Sequence, residues 1–148
     1  MKKLIALVCA LALTLSCTAA FAATLSLGSH TLTIPDSMSE DELTQEDIAD
    51  DMVCFYYNDD VDFAVYSYPA EGYTLEEIVE ETTNDDSYDQ MGITTINDVE
   101  TAYFVESEDS IYYVEYMIIE NDTVHSIVFG FADTAANEQV LAIMETLE

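Results

Sequence analysis

The residues best suited to chemistry are carboxylates gathered in two short acidic clusters. These clusters are Asn84, Asp85, Asp86 and Asp89 in one polar segment, and Glu106, Glu108 and Asp109 in another. Carboxylate and amide oxygens are the ligands that calcium takes in proteins, so we interpret both clusters as candidate Ca²⁺ sites. Acidic segments more often face water without binding an ion, and that alternative stays open.

Glu115 is a candidate of a different kind, because it interrupts an otherwise apolar strand face. The register derived below places it opposite Val128. A carboxylate buried at such a position has a raised pKa, since burial disfavours the charged form. Carboxylates perturbed in this way are enriched at functional sites, whereas an incompletely covered sheet would leave Glu115 in water.

Other reactive side chains are few in the sequence. His30 and His125 cannot form a zinc site without several supporting carboxylates, and His125 falls beside Ile118 on an apolar face, which predicts a hydrogen-bonded core histidine. Cys54 lies in the strand-like run MVCFYY, which is typical of a buried, unreactive thiol. No nucleophile–base pair or glycine-rich phosphate loop is present, so an enzyme is the weaker hypothesis.

Charge restricts the partners that this chain can bind. Among 148 residues there are 31 Asp and Glu but only 2 Lys and Arg, which are Lys2 and Lys3, and the formal net charge is −29. Nucleic acids and anionic membrane surfaces both require cations that residues 23–148 lack, so neither is expected as a partner. A cationic ligand or a basic protein has the complementary charge. The oligomeric state does not follow from the sequence.

The amino terminus has the pattern of a secretory signal. Lys2 and Lys3 precede an apolar run that is too short to span a membrane, and Ala20-Phe21-Ala22 is a small-x-small cleavage signal. We therefore predict a signal peptide at residues 1–22 and a single exported domain at residues 23–148. The alternative is a lipoprotein anchored at Cys17, whose preceding residues loosely match a lipobox.

The segment from Ile111 to Phe131 predicts the hairpin on which the fold depends. Two β-branched and aromatic runs flank Asn121-Asp122, a composition typical of a two-residue hairpin turn. This turn pairs Val114 with Phe129 and Tyr116 with Ile127. Both faces of the resulting hairpin are largely apolar, so we expect layers to cover the sheet on both sides.

The remaining strands also pair with sequence neighbours. A first hairpin is predicted around Gly28-Ser29, and another from Met52–Tyr57 and Val61–Tyr68, with Phe55 facing Phe63. Strand-like runs at Ile93–Ile96 and Val99–Val105 flank a break at residues 97–98, and residues 106–110 are predicted to form a turn.

Helices are predicted from capping patterns and apolar spacing. Thr74 and Glu77 form a capping box at the start of the clearest helix. Ser39 and Glu42 have the same form before a short helix or irregular loop. After the central hairpin, Asp133 or Thr134 can cap a final helix with apolar residues on one side.

The order of these elements resembles a known superfamily. The segments that carry the likeness are HTLTIPDSM, FYYNDDVDFAVYSY, TLEEIVEE, TTINDVETAYF, YYVEYMIIENDTVHSIVFGF and NEQVLAIMETL. Together they resemble the PsbP and Mog-like superfamily, including small bacterial exported proteins of the DcrB-like kind. The resemblance implies an α+β fold with an antiparallel β-sheet sandwiched between helical layers. It also implies an accessory or binding role, and it transfers no site residue to this chain.

Three functional hypotheses follow. The first is an exported, non-catalytic binding or accessory domain for cations or a basic partner. The second is a carboxylate-based hydrolase with an aromatic cleft, which needs two carboxylates facing each other across a pocket. The third is an acidic surface that adapts the chain to salt without any specific ligand.

The signal-peptide hypothesis makes a direct prediction about the exported protein. Its intact mass is expected to correspond to a chain that begins at Ala23, because cleavage follows Ala22. Mass spectrometry of the purified exported protein measures this. An acylated chain that begins at Cys17 would replace this expectation with the lipoprotein alternative.

Overall fold

The central hairpin has the predicted register. The computed structural model describes residues 21–83 and 86–148, so the predicted signal peptide lies almost wholly outside the described residues. Strands β8 (Ile111–Glu120) and β9 (Thr123–Phe131) pair Val114 with Phe129 and Tyr116 with Ile127. Asn121 and Asp122 have φ values of 50° and 62°, as expected for a primed two-residue turn. The sequence pattern of this hairpin is thus confirmed.

The described residues form two antiparallel sheets. The small sheet pairs β1 (Phe21–Leu27) with β2 (His30–Pro35) around the predicted Gly28-Ser29 turn. The remaining strands are β3 (Ser39–Glu40), β4 (Met52–Tyr57), β5 (Val61–Pro69), β6 (Gln90–Ile96) and β7 (Val99–Glu108). With β8 and β9 they form a seven-stranded sheet in the order β3-β4-β5-β9-β8-β7-β6.

Three α-helices accompany the large sheet in the described part of the chain. They are α1 (Gln45–Ala49), α2 (Leu75–Thr82) and α3 (Asn137–Met144), and a 3₁₀ turn at Thr134–Ala136 precedes α3. None of the helices formed by described residues is long and apolar enough to cross a membrane.

The first face of the large sheet carries the main core. Phe63, Ile127 and Phe129 are fully buried there, and the rings of Phe63 and Phe129 lie 5.2 Å apart. The small sheet contributes Leu32 to this core and α3 contributes Ile143. The chain after α3 is fixed to β2, because the backbone N–H of Thr31 donates to the carbonyl of Glu148 at 2.8 Å.

The second face is covered over part of its area by α2. Leu75 packs with Ala102 and Phe104 of β7, and Met117 and Ile119 of β8 border this smaller cluster. The Thr74–Glu77 capping box begins α2 as predicted, while α1 buries no residue. Both faces therefore have covering layers, which confirms the α+β sandwich architecture, but the second face is covered incompletely.

The β4–β5 pairing differs from the predicted register by one residue. Tyr56 faces Phe63 and Phe55 faces Ala64, where the sequence predicted Phe55 opposite Phe63. The Asn58 side-chain oxygen accepts hydrogen bonds from the N–H groups of Asp60 and Val61, each at 2.9 Å, and this stabilises a longer loop. Because side chains alternate between faces, the shift moves Phe55 to the second face.

Two local predictions were also wrong. Ser39 lies in β3, and the capping box of α1 is formed instead by Thr44 and Asp47. The predicted turn at residues 106–110 is shorter, because β7 continues to Glu108 and only Asp109 and Ser110 adopt positive φ, at 49° and 71°. Glu106 and Glu108 therefore lie in a strand, two residues apart, and their side chains are on the same face of the sheet.

The buried position of Phe129 predicts a large loss of stability on truncation. We expect Phe129→Ala to lower the free energy of unfolding by about 3–5 kcal/mol, because it removes packing and leaves a cavity. Chemical denaturation measures this. Leu141→Ala is the matched control, since Leu141 is 46% exposed on α3, and it should change stability by less than about 0.5 kcal/mol. A loss below about 1 kcal/mol for Phe129→Ala would contradict the packing described here.

Candidate functional site

The candidate site lies on the second face of the large sheet, where α2 leaves the strands uncovered. Glu115 of β8 pairs with Phe104 of β7 on one side and with Val128 of β9 on the other. The next row along the strands places Tyr113 between Glu106 and Gly130. The strand register thus brings aromatic rings and carboxylates together on one surface.

Glu115 is a half-buried carboxylate that accepts a hydrogen bond from one hydroxyl. The hydroxyl of Ser126 donates to Glu115 Oε1 at 2.5 Å. Burial raises the pKa of Glu115, and the hydrogen bond from Ser126 opposes that shift only in part. Glu115 is therefore half-buried at an incompletely covered part of the sheet, and its pKa is shifted in the direction that burial causes.

A cavity of about 330 Å³ opens beside Glu115. Its walls are the aromatic side chains of Tyr88, Phe104 and Tyr113, together with Val128 and the carboxylates of Glu106, Glu108 and Glu115. The rings of Tyr88 and Phe104 lie 5.3 Å apart and are tilted by 54°, so they form one corner of the cavity. Aromatic faces beside carboxylates are the two kinds of group that attract organic cations.

Tyr68 lies at a second, larger cavity beside α2. Burial raises the pKa of Tyr68, and the charges of Glu115 and Tyr88 raise it further. Tyr68 also lines a cavity of about 540 Å³ with Tyr73, Ile78 and Glu81. The carboxylates that line the larger cavity are exposed, so we assign the site to the cavity beside the half-buried Glu115.

Asp62 is a second carboxylate with a perturbed environment on this face. Burial raises its pKa, and a hydrogen bond with the backbone of Gly130 opposes the shift. A Cβ at Gly130 would lie 2.6 Å from Asp62 Oδ1, so only glycine permits this approach. Asp62 meets Gly130 through the pairing of β5 with β9, two strands that are distant in sequence.

The predicted calcium ligands are only partly brought together. Glu106 and Glu108 lie two residues apart in β7 and both line the Glu115 cavity, whereas Asp109 lies in the following turn. Asp89 precedes β6 and accepts a 2.5 Å hydrogen bond from the hydroxyl of Ser107. Asp86 is exposed.

Asn84 and Asp85 lie outside the described residues. Within residues 21–83 and 86–148, no three His, Cys, Asp or Glu side chains are arranged to hold a metal ion. The calcium site therefore stays a prediction.

The structure also accounts for the other residues singled out in the sequence. His125 is buried, and its Nδ1 atom hydrogen-bonds the Ser67 hydroxyl at 2.8 Å, as expected for a core histidine. Cys54 is buried, and burial raises the pKa of its thiol to about 12, which leaves it protonated and unreactive. His30 lies at the start of β2, where the small sheet approaches Glu120.

Two contacts could not be found by local pattern. Tyr88 lines the cavity beside Glu115, but it comes from the segment before β6, which is distant in sequence from β8. The contact between Ser29 and Glu120 spans 91 residues: both the backbone N–H and the hydroxyl of Ser29 donate to that carboxylate. The Ser126–Glu115 bond, by contrast, follows from the predicted hairpin register, because the two residues are diagonal neighbours.

Solved structures share this arrangement of strands and helices. The solution structure of cyanobacterial PsbP from Synechocystis sp. PCC 6803 matches with a TM-score of 0.63 and 6% identity, covering 85% of this chain and 91% of that chain. The fold is PsbP-like. A Bacteroides thetaiotaomicron protein matches with a TM-score of 0.55 and 18% identity, covering 80% of this chain but 44% of that chain.

A third structure, a Pseudomonas aeruginosa protein of unknown function, matches with a TM-score of 0.50 and 11% identity over 87% of this chain and 97% of that chain. No protein-family model and no curated protein matches the sequence. At these identities the PsbP-like likeness concerns the fold alone. The finer resemblance to DcrB-like proteins stays a prediction.

The raised pKa of Glu115 predicts a specific pH dependence of stability. Between the unfolded and folded pKa values the folded state binds more protons, so its stability falls as pH rises through the folded pKa. Glu115→Gln stays neutral and can still accept the Ser126 hydrogen bond. We therefore expect this variant to be more stable than the wild type at pH 7, with the difference vanishing below about pH 4.

The matched control is Glu42→Gln, which removes one charge from an exposed loop residue. Both variants remove one negative charge, so a larger gain for Glu115→Gln reports the cost of ionisation at the half-buried site. Denaturation between pH 4 and 8 measures the difference. Equal stability gains in the two variants would contradict a cost of ionisation specific to Glu115.

Proposed function

We propose that this protein is an exported, non-catalytic accessory domain that binds a cationic group of a partner in the Glu115 cavity. The observation that carries the proposal is the half-buried carboxylate of Glu115 beside the rings of Tyr88, Phe104 and Tyr113. An alkylammonium group, such as the end of a lysine side chain on a basic protein, has the charge and shape for this cavity.

The cost of ionising Glu115 in its half-buried position would be reduced by a cation bound beside it. Ionised Glu115 is destabilised by burial, and one hydroxyl only partly offsets that cost. A cation placed between Glu115, Glu106 and the aromatic walls would favour the charged carboxylate. No Lys or Arg occurs in residues 23–148, so such a cation has to come from another molecule.

The extracytoplasmic location of this function rests on the amino-terminal sequence pattern. Lys2 and Lys3, the short apolar run and Ala20-Phe21-Ala22 favour export. Strand β1 begins at Phe21, and its pairing with β2 continues from Ala23 onwards, so cleavage after Ala22 leaves most of the small sheet intact. A small exported domain without a catalytic motif suits an accessory or binding role.

The test uses n-butylammonium as a probe for the end of a lysine side chain. At an ionic strength matched with potassium chloride, we expect a saturable rise in melting temperature with n-butylammonium, because binding to the folded state follows mass action. Glu115→Gln should weaken this binding roughly tenfold or more, since it removes the charged partner. Glu42→Gln should leave it unchanged.

Calcium and magnesium arms separate the remaining alternatives. A calcium site at the acidic clusters predicts an extra, saturable increase in melting temperature over magnesium that Glu115→Gln does not remove. General salt adaptation predicts equal effects of all cations at matched ionic strength. Identical responses to n-butylammonium and potassium in the wild type would refute the proposed cavity.

A further inference from the structure

Strand β6 (Gln90–Ile96) forms one edge of the seven-stranded sheet. Among the described residues it pairs with β7 alone, and its outer side faces away from the rest of the sheet. Ile93, Thr94 and Thr95 are exposed, and 37% of Ile93 is accessible. The opposite edge is formed by β3, which has only two residues. The two edges thus differ in the length of backbone that they offer.

The β6 edge lacks three of the features that usually prevent edge pairing. Natural proteins protect such edges with charged residues, proline or β-bulges. The seven residues of β6, QMGITTI, include no charged residue and no proline. The ladder with β7 runs from Gln90 to Ile96 without a register shift, so β6 has no β-bulge. By contrast, the β4–β5 ladder contains an irregularity between Met52 and Cys54.

Gly92 does not weaken this strand, because a neighbouring side chain supports it. A Cβ built at Gly92 would lie 3.1–3.3 Å from three atoms of the Tyr103 side chain, so that ring lies against the glycine backbone. Tyr103 is the cross-strand partner of Gly92 in β7. An aromatic ring over an edge glycine keeps the strand extended and regular.

Hairpin geometry shows which β6 groups point outward. The turn at Asn97 and Asp98 has φ values of 47° and 68°, so Ile96 and Val99 form the closing hydrogen-bonded pair. In an antiparallel ladder every second residue bonds to the neighbouring strand. The N–H and C=O groups of Met91, Ile93 and Thr95 are therefore directed outward.

The charge around this edge selects the partner. Asp89 lies at one end of β6, and Asp98 and Glu100 lie at the other. We propose that β6 pairs with an extended segment of a basic partner, with an uncharged, β-branched centre and Lys or Arg at both ends. Such β-strand addition obtains affinity from main-chain hydrogen bonds. The inference rests on the proposed function for the charge of the partner, but it uses a different surface.

A second copy of the chain fits this edge less well. Antiparallel pairing of two β6 strands would bring the acidic ends of one strand close to the acidic ends of the other. The formal net charge of −29 per chain adds repulsion between the copies. A basic segment meets the same backbone groups with attraction at both ends.

The experiment uses the peptide KKTVTITVKK as its probe and amide hydrogen exchange as its readout. We expect the peptide to slow exchange at Met91, Ile93 and Thr95 by tenfold or more, because their N–H groups become hydrogen-bonded. The control peptides are KKTVPIPVKK, which lacks two donors, and EETVTITVEE, which has the opposite charge. Neither should protect these amides.

Variants at Thr95 test the edge itself. Thr95→Pro removes an outward N–H without breaking the β6–β7 ladder, and it should weaken peptide binding at least tenfold. Thr95→Ala keeps the N–H and should bind within twofold of the wild type. The exchange measurement on the unmodified protein tests the proposal even where Thr95→Pro fails to fold.

The outcomes separate this proposal from the one for the Glu115 cavity. Glu115→Gln should leave peptide protection of β6 unchanged, whereas it weakens n-butylammonium binding. Absence of peptide-induced protection in the wild type would overturn the β6 proposal and leave the cavity proposal standing. Protection of the same amides by self-association, seen as a dimer on light scattering, would also overturn it.

Discussion

The carboxylates in the described part of this chain need hydrogen-bond donors, and no lysine or arginine is present there to supply them. In this part of the chain, hydroxyls and backbone N–H groups donate hydrogen bonds to carboxylates. Asp47 accepts from the N–H of Thr44 at 2.7 Å, and Glu77 accepts from the N–H of Thr74 at 2.9 Å. Asp122 accepts from the N–H of Gly72 at 2.9 Å. Each of these three carboxylates lies at a helix start or in a turn, where the backbone leaves donors free.

Glu115 differs from these residues because it lies inside a strand, where the backbone donors are used by the ladder. Its hydroxyl partner, Ser126, comes from the neighbouring strand, and burial still raises its pKa. The helices on the second face are short, and this explains why the sheet around Glu115 is left uncovered. Helix α2 has eight residues. Helix α1 has five residues, and none of those five is buried. Longer helices would close the second face and make an ionised Glu115 untenable.

Much of the sheet could be predicted because its turns have local signals. Asn121-Asp122 and residues 97–98 set the register of two hairpins, and apolar alternation then assigned the faces. The β4–β5 register could not be predicted in the same way, because the side chain of Asn58 stabilises a longer loop than the pattern suggests. A one-residue difference of this kind moves every following side chain to the other face.

The site was predictable only in part, for a related reason. Glu115 was visible because a charge interrupts an apolar face, which is a local signal. The cavity around it also needs Tyr88 and Phe104, whose contact depends on how the segment before β6 crosses the sheet. Side chains that meet through tertiary packing leave no periodic pattern in the sequence. The resemblance to PsbP-like proteins supplied the layer arrangement and no site residue.

Salt has opposite effects on folding and on the proposed binding. Folding brings carboxylates of one sign closer together, so screening by salt favours the folded state. Binding of a basic partner joins opposite charges, and screening weakens that attraction. A chain whose acidity served only adaptation to salt would show the first effect alone. The half-buried Glu115 is screened less than the exposed carboxylates, so salt should weaken the binding of a cation there less than the binding of one held only at the acidic ends of β6.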